Sequence, residues 1–117
     1  MQKILLVLAL VSCAGPLVSC GAGGGAGKPL SSSAQRGRKV YLESSNPTCG
    51  SCHRLNEAGT RGAVGPDLDK MDLTRERVVR SVTQGVGVMP TQRGVLKPGE
   101  IQDVADYVME ARGRRAN

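Results

Sequence analysis

Apolar side chains recur at helical spacing in three stretches between residues 34 and 112, and no stretch alternates with the two-residue period of a strand. In the first stretch Ala34, Gly37, Val40, Tyr41 and Ser44 share one face, which leaves Arg36 and Lys39 to solvent. Gly37 then faces inward, where a missing side chain lets another helix come close. The second predicted helix begins at the capping hydroxyl of Thr74, buries Val78, Val79 and Val82, runs to Gln84 and stops at Gly85. The third, from Pro98 to about Arg112, lines up Ile101, Val104, Ala105 and Val108. Gln102, Asp103, Asp106 and Glu110 lie opposite, and Tyr107 and Met109 flank the stripe. Lys97 stands where a Ser, Thr or Asp would cap this helix, so its start is weakly capped. The pattern predicts an all-α fold in one small domain.

Ahead of these helices the chain changes character. Lys3 followed by the apolar run Ile4 to Val11 has the layout of a secretory signal, too short to span a bilayer and interrupted by Pro16. Leu17-Val18-Ser19-Cys20 resembles the lipobox of bacterial lipoproteins, which implies cleavage after Ser19 and a lipid on Cys20. Leu10-Val11-Ser12-Cys13 repeats the pattern but leaves a shorter hydrophobic region. Both cysteines also read simply as small residues of a discarded signal. Residues 20–33 are rich in Gly, Ala and Ser and read as a flexible tether with a root-mean-square reach of roughly 20 Å. The expected division is therefore a signal peptide over 1–19, the tether over 20–33, a folded domain over 34–112 and a basic tail over 113–117.

Charge and composition narrow the functional classes. The formal net charge is +6, yet residues 34–111 hold 11 Lys and Arg against 10 Asp and Glu. The excess lies in Lys3, Lys28, Arg112, Arg114 and Arg115, and no aromatic side chains interleave with basic ones as a stacking platform requires, so no nucleic-acid partner is expected. The domain has only about twenty large apolar residues, no Phe or Trp, and two tyrosines, Tyr41 and Tyr107. So thin a core calls for something besides polypeptide to fill it.

Cys49-Gly50-Ser51-Cys52-His53 supplies a candidate. Two thiols three residues apart sit on one side of a helical turn, where each can add to a haem vinyl group, and the next residue offers an imidazole to the iron. Secretion suits this chemistry, since such attachment takes place outside the cytosol. A zinc site would need four ligands and has only Cys49, Cys52 and an adjacent His53. A redox dithiol would want a βαβ setting, and a plain Cys49–Cys52 disulfide explains neither His53 nor the thin core.

With these residues in view, residues 34–112 resemble the class I small monohaem cytochromes c, which bind one covalent haem c between His and Met axial ligands. The resemblance implies three main helices wrapped around the haem, with Cys49 and Cys52 as its attachment points and His53 as one axial ligand. In this family the second ligand comes from a Met followed by Pro in a loop before the last helix. Met89-Pro90, within Gly85-Val86-Gly87-Val88, matches; Met71 comes soon after the haem motif and Met109 falls on a helix. Gly65-Pro66-Asp67-Leu68 matches the family's Gly-Pro-x-Leu, which implies that the Pro66 carbonyl orients His53. The first and last helices of the family cross with a small residue against an aromatic, as Gly37, Tyr41 and Tyr107 would allow. The loop around Met89 lacks the aromatic expected beside it.

The implied function is one-electron transfer between membrane-associated redox proteins, with no catalytic acid, base or nucleophile. Two alternatives stay open: a haem enzyme or gas sensor whose Met89 is displaced, and an electron-entry subunit of a larger oxidoreductase. The expected setting is the periplasm or the outer face of a bacterial membrane, with the chain a lipid-anchored monomer whose partners are redox donors and acceptors.

Overall fold

The computed structural model describes residues 27–115. The expected signal peptide, Cys20 and the expected tether up to residue 26 lie outside the described residues. Four α-helices, α1 (Ser32–Lys39), α2 (Cys49–Cys52), α3 (Arg75–Gln84) and α4 (Pro98–Ala111), are joined by turns and one two-stranded antiparallel pair, β1 (Arg54–Leu55) with β2 (Thr60–Arg61). Among the described residues no helix is long and apolar enough to cross a membrane.

α1 starts two residues ahead of the expected Ala34. Ser31 caps it by accepting from the Ala34 N–H at 3.2 Å, while the Ser31 N–H and hydroxyl donate to Glu110 at 2.9 and 2.6 Å. The last residues of the expected tether thus belong to the domain, tied to the far end of α4. The basic tail is likewise partly engaged: Gly113 N–H donates to Asp69 at 2.8 Å and Arg114 to the Lys28 carbonyl at 2.6 Å.

α1 and α4 cross at Gly37. A Cβ built there would lie 1.9 Å from the Asp103 carbonyl oxygen and 2.8 Å from Tyr107 Cβ, so the two backbones touch. Tyr41 and Tyr107 meet beside the crossing, ring centres 5.6 Å apart at 65°, an edge-to-face pair that puts the positive rim of one ring against the other's π face. Tyr107 is fully buried, inside the apolar stripe that it was expected to flank. Its hydroxyl donates to Glu57, a carboxylate only 4% exposed, which Arg38 Nε also reaches at 3.2 and 3.3 Å. The buried charge is thereby paired and hydrogen-bonded, as burial of a carboxylate demands.

Beyond α1 the backbone widens into a π-helical turn, Val40–Ser44. The i→i+5 bond from Ser45 N–H to the Val40 carbonyl advances the inward face by one residue. Ser45 is buried as a result and Ser44, expected on that face, is exposed. In α3 the Thr74 hydroxyl accepts from Arg77 N–H at 3.2 Å, and Val78 and Val82 are buried. Val79 is only half-buried, because one further residue of helical rotation turns it toward a shallow groove shared with Arg75, Arg80 and Gln102. At the head of α4 Lys97 offers no side-chain acceptor; Glu100 compensates by accepting from the Lys97 N–H at 2.8 Å. The apolar core joins the π-helical turn, α3 and α4 through Val40, Tyr41, Val78, Val82, Val104 and Val108.

Candidate haem cleft

α2 is a single turn held by its neighbours more than by its own hydrogen bonds. Cys49 N–H donates to the Ser45 hydroxyl at 3.1 Å, and that hydroxyl lies 3.3 Å from Cys49 Sγ. The π turn is what delivers Ser45 here. Burial pushes the Cys49 thiol pKa up, partly offset by the Ser45 contact. The two thiols are not joined to each other. Gly50 and Gly62 let neighbouring segments close on this turn: added Cβ atoms would lie 2.4 Å from Thr60 Cγ2 and 2.4 Å from the Cys52 carbonyl carbon.

His53 leaves the helix in extended conformation, and its carbonyl accepts from the hydroxyls of Tyr41 at 3.3 Å and Thr60 at 3.1 Å. Gly65 N–H donates to the Cys52 carbonyl at 2.8 Å, bringing the next segment alongside. Pro66 O then stands 2.9 Å from His53 Nδ1. A carbonyl can only accept, so Nδ1 is the donor, and in the neutral imidazole Nε2 is left as the acceptor nitrogen. Gly65 lies flat against the ring, where a Cβ would come within 2.6 Å of His53 Cε1. Imidazole tilt and tautomer are therefore both fixed by backbone.

A second wall of the same cleft comes from α3 and the loop after it. Gly85, at φ +74°, ends α3 where a Cβ would collide with the Met89 carbonyl. Val86 and Met89 exchange N–H···O bonds of 3.0 and 3.1 Å, folding residues 86–89 into a tight loop. Thr91 and Gln92 pin the loop back onto α3 through the Thr83 and Val82 carbonyls. Gln92, 4% exposed, also clamps the Asn46 backbone, its amide donating to the Asn46 carbonyl and accepting from the Asn46 N–H, both at 3.1 Å. The two walls are thus tied together at the level of α2.

Between them lies a cleft of about 420 Å³. Cys49, Cys52, His53, Pro66 and Met89 all line it; Met71 also lines it, and Met109 does not. The floor is apolar, with Leu68, Leu73, Val78, Val82, Val104 and Val108. Val64, Val86 and Val88 stand exposed at the mouth. Two thiols, two thioethers and an oriented imidazole around apolar walls fit a flat, largely apolar macrocycle bearing a nitrogen- and sulfur-seeking metal. Sequence reasoning missed Ser45, Glu57 and Gln92, which carry no motif of their own.

Comparison with known proteins agrees with the fold of a small c-type cytochrome. Residues 32–108 match the family model described as "Cytochrome C oxidase, cbb3-type, subunit III". Cytochrome c-551 of Halorhodospira halochloris is 34% identical over 74 residues, covering 62% of this chain and 94% of that one. Cytochrome c6 of a Nostoc species is 36% identical over 88 residues, covering 68% and 72%. Among solved structures, the c-type cytochrome SorU from Sinorhizobium meliloti superposes with a TM-score of 0.69 at 41% identity, over 73% of this chain and 97% of that one.

Proposed function

The chain belongs to the small monohaem cytochromes c, within the family that its residues 32–108 match, and from that premise we propose which residues make it an electron carrier. It carries electrons between redox partners on one covalently bound haem c. Bound in the cleft, the haem supplies a one-electron ferric/ferrous couple. Cys49 and Cys52 would attach it by thioether bonds, His53 Nε2 and Met89 Sδ would ligate its iron, and Pro66 would orient His53. The observation that carries this reading is the 2.9 Å contact from His53 Nδ1 to Pro66 O, with Gly65 flat against the ring. It leaves Nε2 as the free nitrogen of a residue lining the same cleft as Met89.

The protein's part in electron transfer is to hold both ligands still. The Tyr41 and Thr60 bonds to the His53 carbonyl, the Val86–Met89 bridge and the Gln92 clamp keep the two walls at fixed separation. The apolar floor would keep water away from a metal held there. With both ligand positions filled, oxidation and reduction require little rearrangement, and no side chain has to move a proton. The chain is a monomer exported to the periplasm or the outer face of a bacterial membrane, cleaved after Ser19, lipidated on Cys20 and held near that surface by the tether.

Denaturing electrophoresis followed by haem staining tests attachment. Colour should migrate with the polypeptide, and Cys52→Ala should lose one of two thioether links by mass. Colourless protein from a haem-attaching host would overturn the reading. Mass spectrometry of membrane-extracted protein should find an N-terminal acylated Cys20; an unmodified N-terminus elsewhere would remove the anchor and leave the carrier.

A further inference from the structure

The cations that flank the charge-balanced stretch 34–111, Lys28, Arg112, Arg114 and Arg115, are brought to one pole of the domain. Glu110, near the end of α4, accepts both bonds from Ser31, the cap of α1, so the head of the first helix lies beside the tail of the last. Arg114 reaches across this junction to the Lys28 carbonyl at 2.6 Å, and Arg112 donates to the Leu73 carbonyl at 3.0 Å. The end of α4 is the negative end of its dipole, which favours cations gathered there.

Among the described residues none of the four stands in an ion pair, whereas Arg36, Arg38, Lys70 and Arg75 all do. The carboxylates at this pole are bonded to neutral donors. Glu110 is taken by Ser31, and Asp69 accepts from the N–H groups of Gly113 and Asn56, both at 2.8 Å. The Ser31 bonds, with a smaller contribution from the Arg114 charge, hold the Glu110 pKa below its ordinary value, so it is ionised. Two carboxylates against four cations leave the pole positive by two charges. Lys28 and Arg115 are exposed and do not make the backbone bonds that Arg112 and Arg114 make.

Lys28 also lies where the chain enters the domain. Residues 21–27 separate it from Cys20, a span with a root-mean-square reach of roughly 15 Å and a maximum near 25 Å. A lipid on Cys20 keeps this pole within about two Debye lengths of the headgroups at physiological salt. We propose that the pole bearing Lys28, Arg112, Arg114 and Arg115 is a docking surface for anionic phospholipid, which orients the tethered domain on the membrane. The proposal rests on the anchor at Cys20: the tether brings this pole, before any other, to the bilayer, and the charges then hold it there. An acidic protein partner has no such reason to meet this end of the molecule.

The test is cosedimentation with vesicles of the processed holoprotein, from Cys20 onward, carrying Cys20→Ser so that no acyl chain masks the charge contribution. Each cation at an anionic surface contributes about fivefold to partitioning, so an excess of two charges contributes about twentyfold. In about 25 mM salt the parent should prefer phosphatidylcholine vesicles containing about 30% phosphatidylglycerol over phosphatidylcholine alone by that factor, and about 0.5 M salt should erase the preference. Lys28→Gln combined with Arg115→Gln should bring anionic partitioning to within about twofold of the neutral level. Arg93→Gln combined with Lys97→Gln removes the same charge at the opposite end of α4, about 20 Å away along its axis, and should stay within about twofold of the parent. A parent without the preference, or a control pair that falls as far as the pole pair, overturns the proposal. Absence of the vesicle preference together with retention on a polyglutamate resin that the pole pair loses would assign the surface to an acidic protein, and also overturns it. Failure of the anchor reading is separately visible in the N-terminal mass spectrum, on which the vesicle measurement of the unacylated chain does not depend.

Discussion

Replacing Gly37 with alanine sets two effects of opposite sign against each other. In an unobstructed helix alanine is favoured over glycine by about 1 kcal/mol. At Gly37 the new methyl would lie 1.9 Å from the Asp103 oxygen and 2.4 Å from its carbonyl carbon, about 1.5 Å short of ordinary van der Waals contact. Both obstacles are backbone, which cannot swing aside as a long side chain can. Relief requires α4 to move off α1. That would open the Tyr41–Tyr107 pair and stretch the Arg36–Asp103 fork, now 2.7 and 2.8 Å. Overpacking against rigid neighbours costs about 3 kcal/mol. The propensity gain returns about 1, leaving a net loss of about 2 kcal/mol. For a domain of this size that lowers Tm by roughly 8–16 °C. Thermal unfolding of the holoprotein followed by far-ultraviolet dichroism reads it directly. A Gly37→Ala protein as stable as the parent, or more so, would refute the close crossing.

Tyr107→Phe leaves Glu57 buried with Arg38 as its remaining side-chain partner, so the urea midpoint should fall by an amount equivalent to about 1–3 kcal/mol; an unchanged midpoint would show that the hydroxyl contributes nothing. Burial pushes the Tyr41 phenol up to about 12 from its ordinary value of 10.0. Between those values the folded state holds a proton that the unfolded state has lost. Stability is therefore complete below pH 10 and declines as pH rises toward 12. Tyr41→Phe should flatten that alkaline decline in thermal melts, and an identical slope would contradict it.

The helices and the cleft were legible in the sequence to different depths. Ile101, Val104, Ala105 and Val108 announce α4 because helical burial repeats every three to four residues, and all four are buried. The cysteine pair with His53 is a local signature that needs no tertiary information. The π turn is another matter. One i→i+5 bond leaves no periodicity to detect, so the sequence pattern puts Ser44 inward where Ser45 belongs. β1 and β2, two residues each, are too short to alternate. Glu57 reads as a surface carboxylate until a partner fifty residues away, Tyr107, comes to meet it. The sequence pattern groups Val79 with Val78 and Val82, although one residue of helical rotation separates a buried position from a half-buried one. Where the structure departs from the sequence pattern, the cause is a long-range contact or a single unusual backbone bond.

The central claim is that His53 and Met89, which line one cleft, would both ligate the haem iron there, so that the protein passes electrons instead of binding small ligands. A near-infrared spectrum of the ferric holoprotein tests it, read alongside carbon monoxide binding to the ferrous form. The parent should show the weak iron–sulfur band of a His/Met haem and resist carbon monoxide at neutral pH. Met89→Ala should lose the band, lower the potential and admit the gas, while Met71→Ala, altering the other methionine of the cleft, should keep the band. A parent without the band, or a band that disappears with Met71 and survives loss of Met89, would contradict the account.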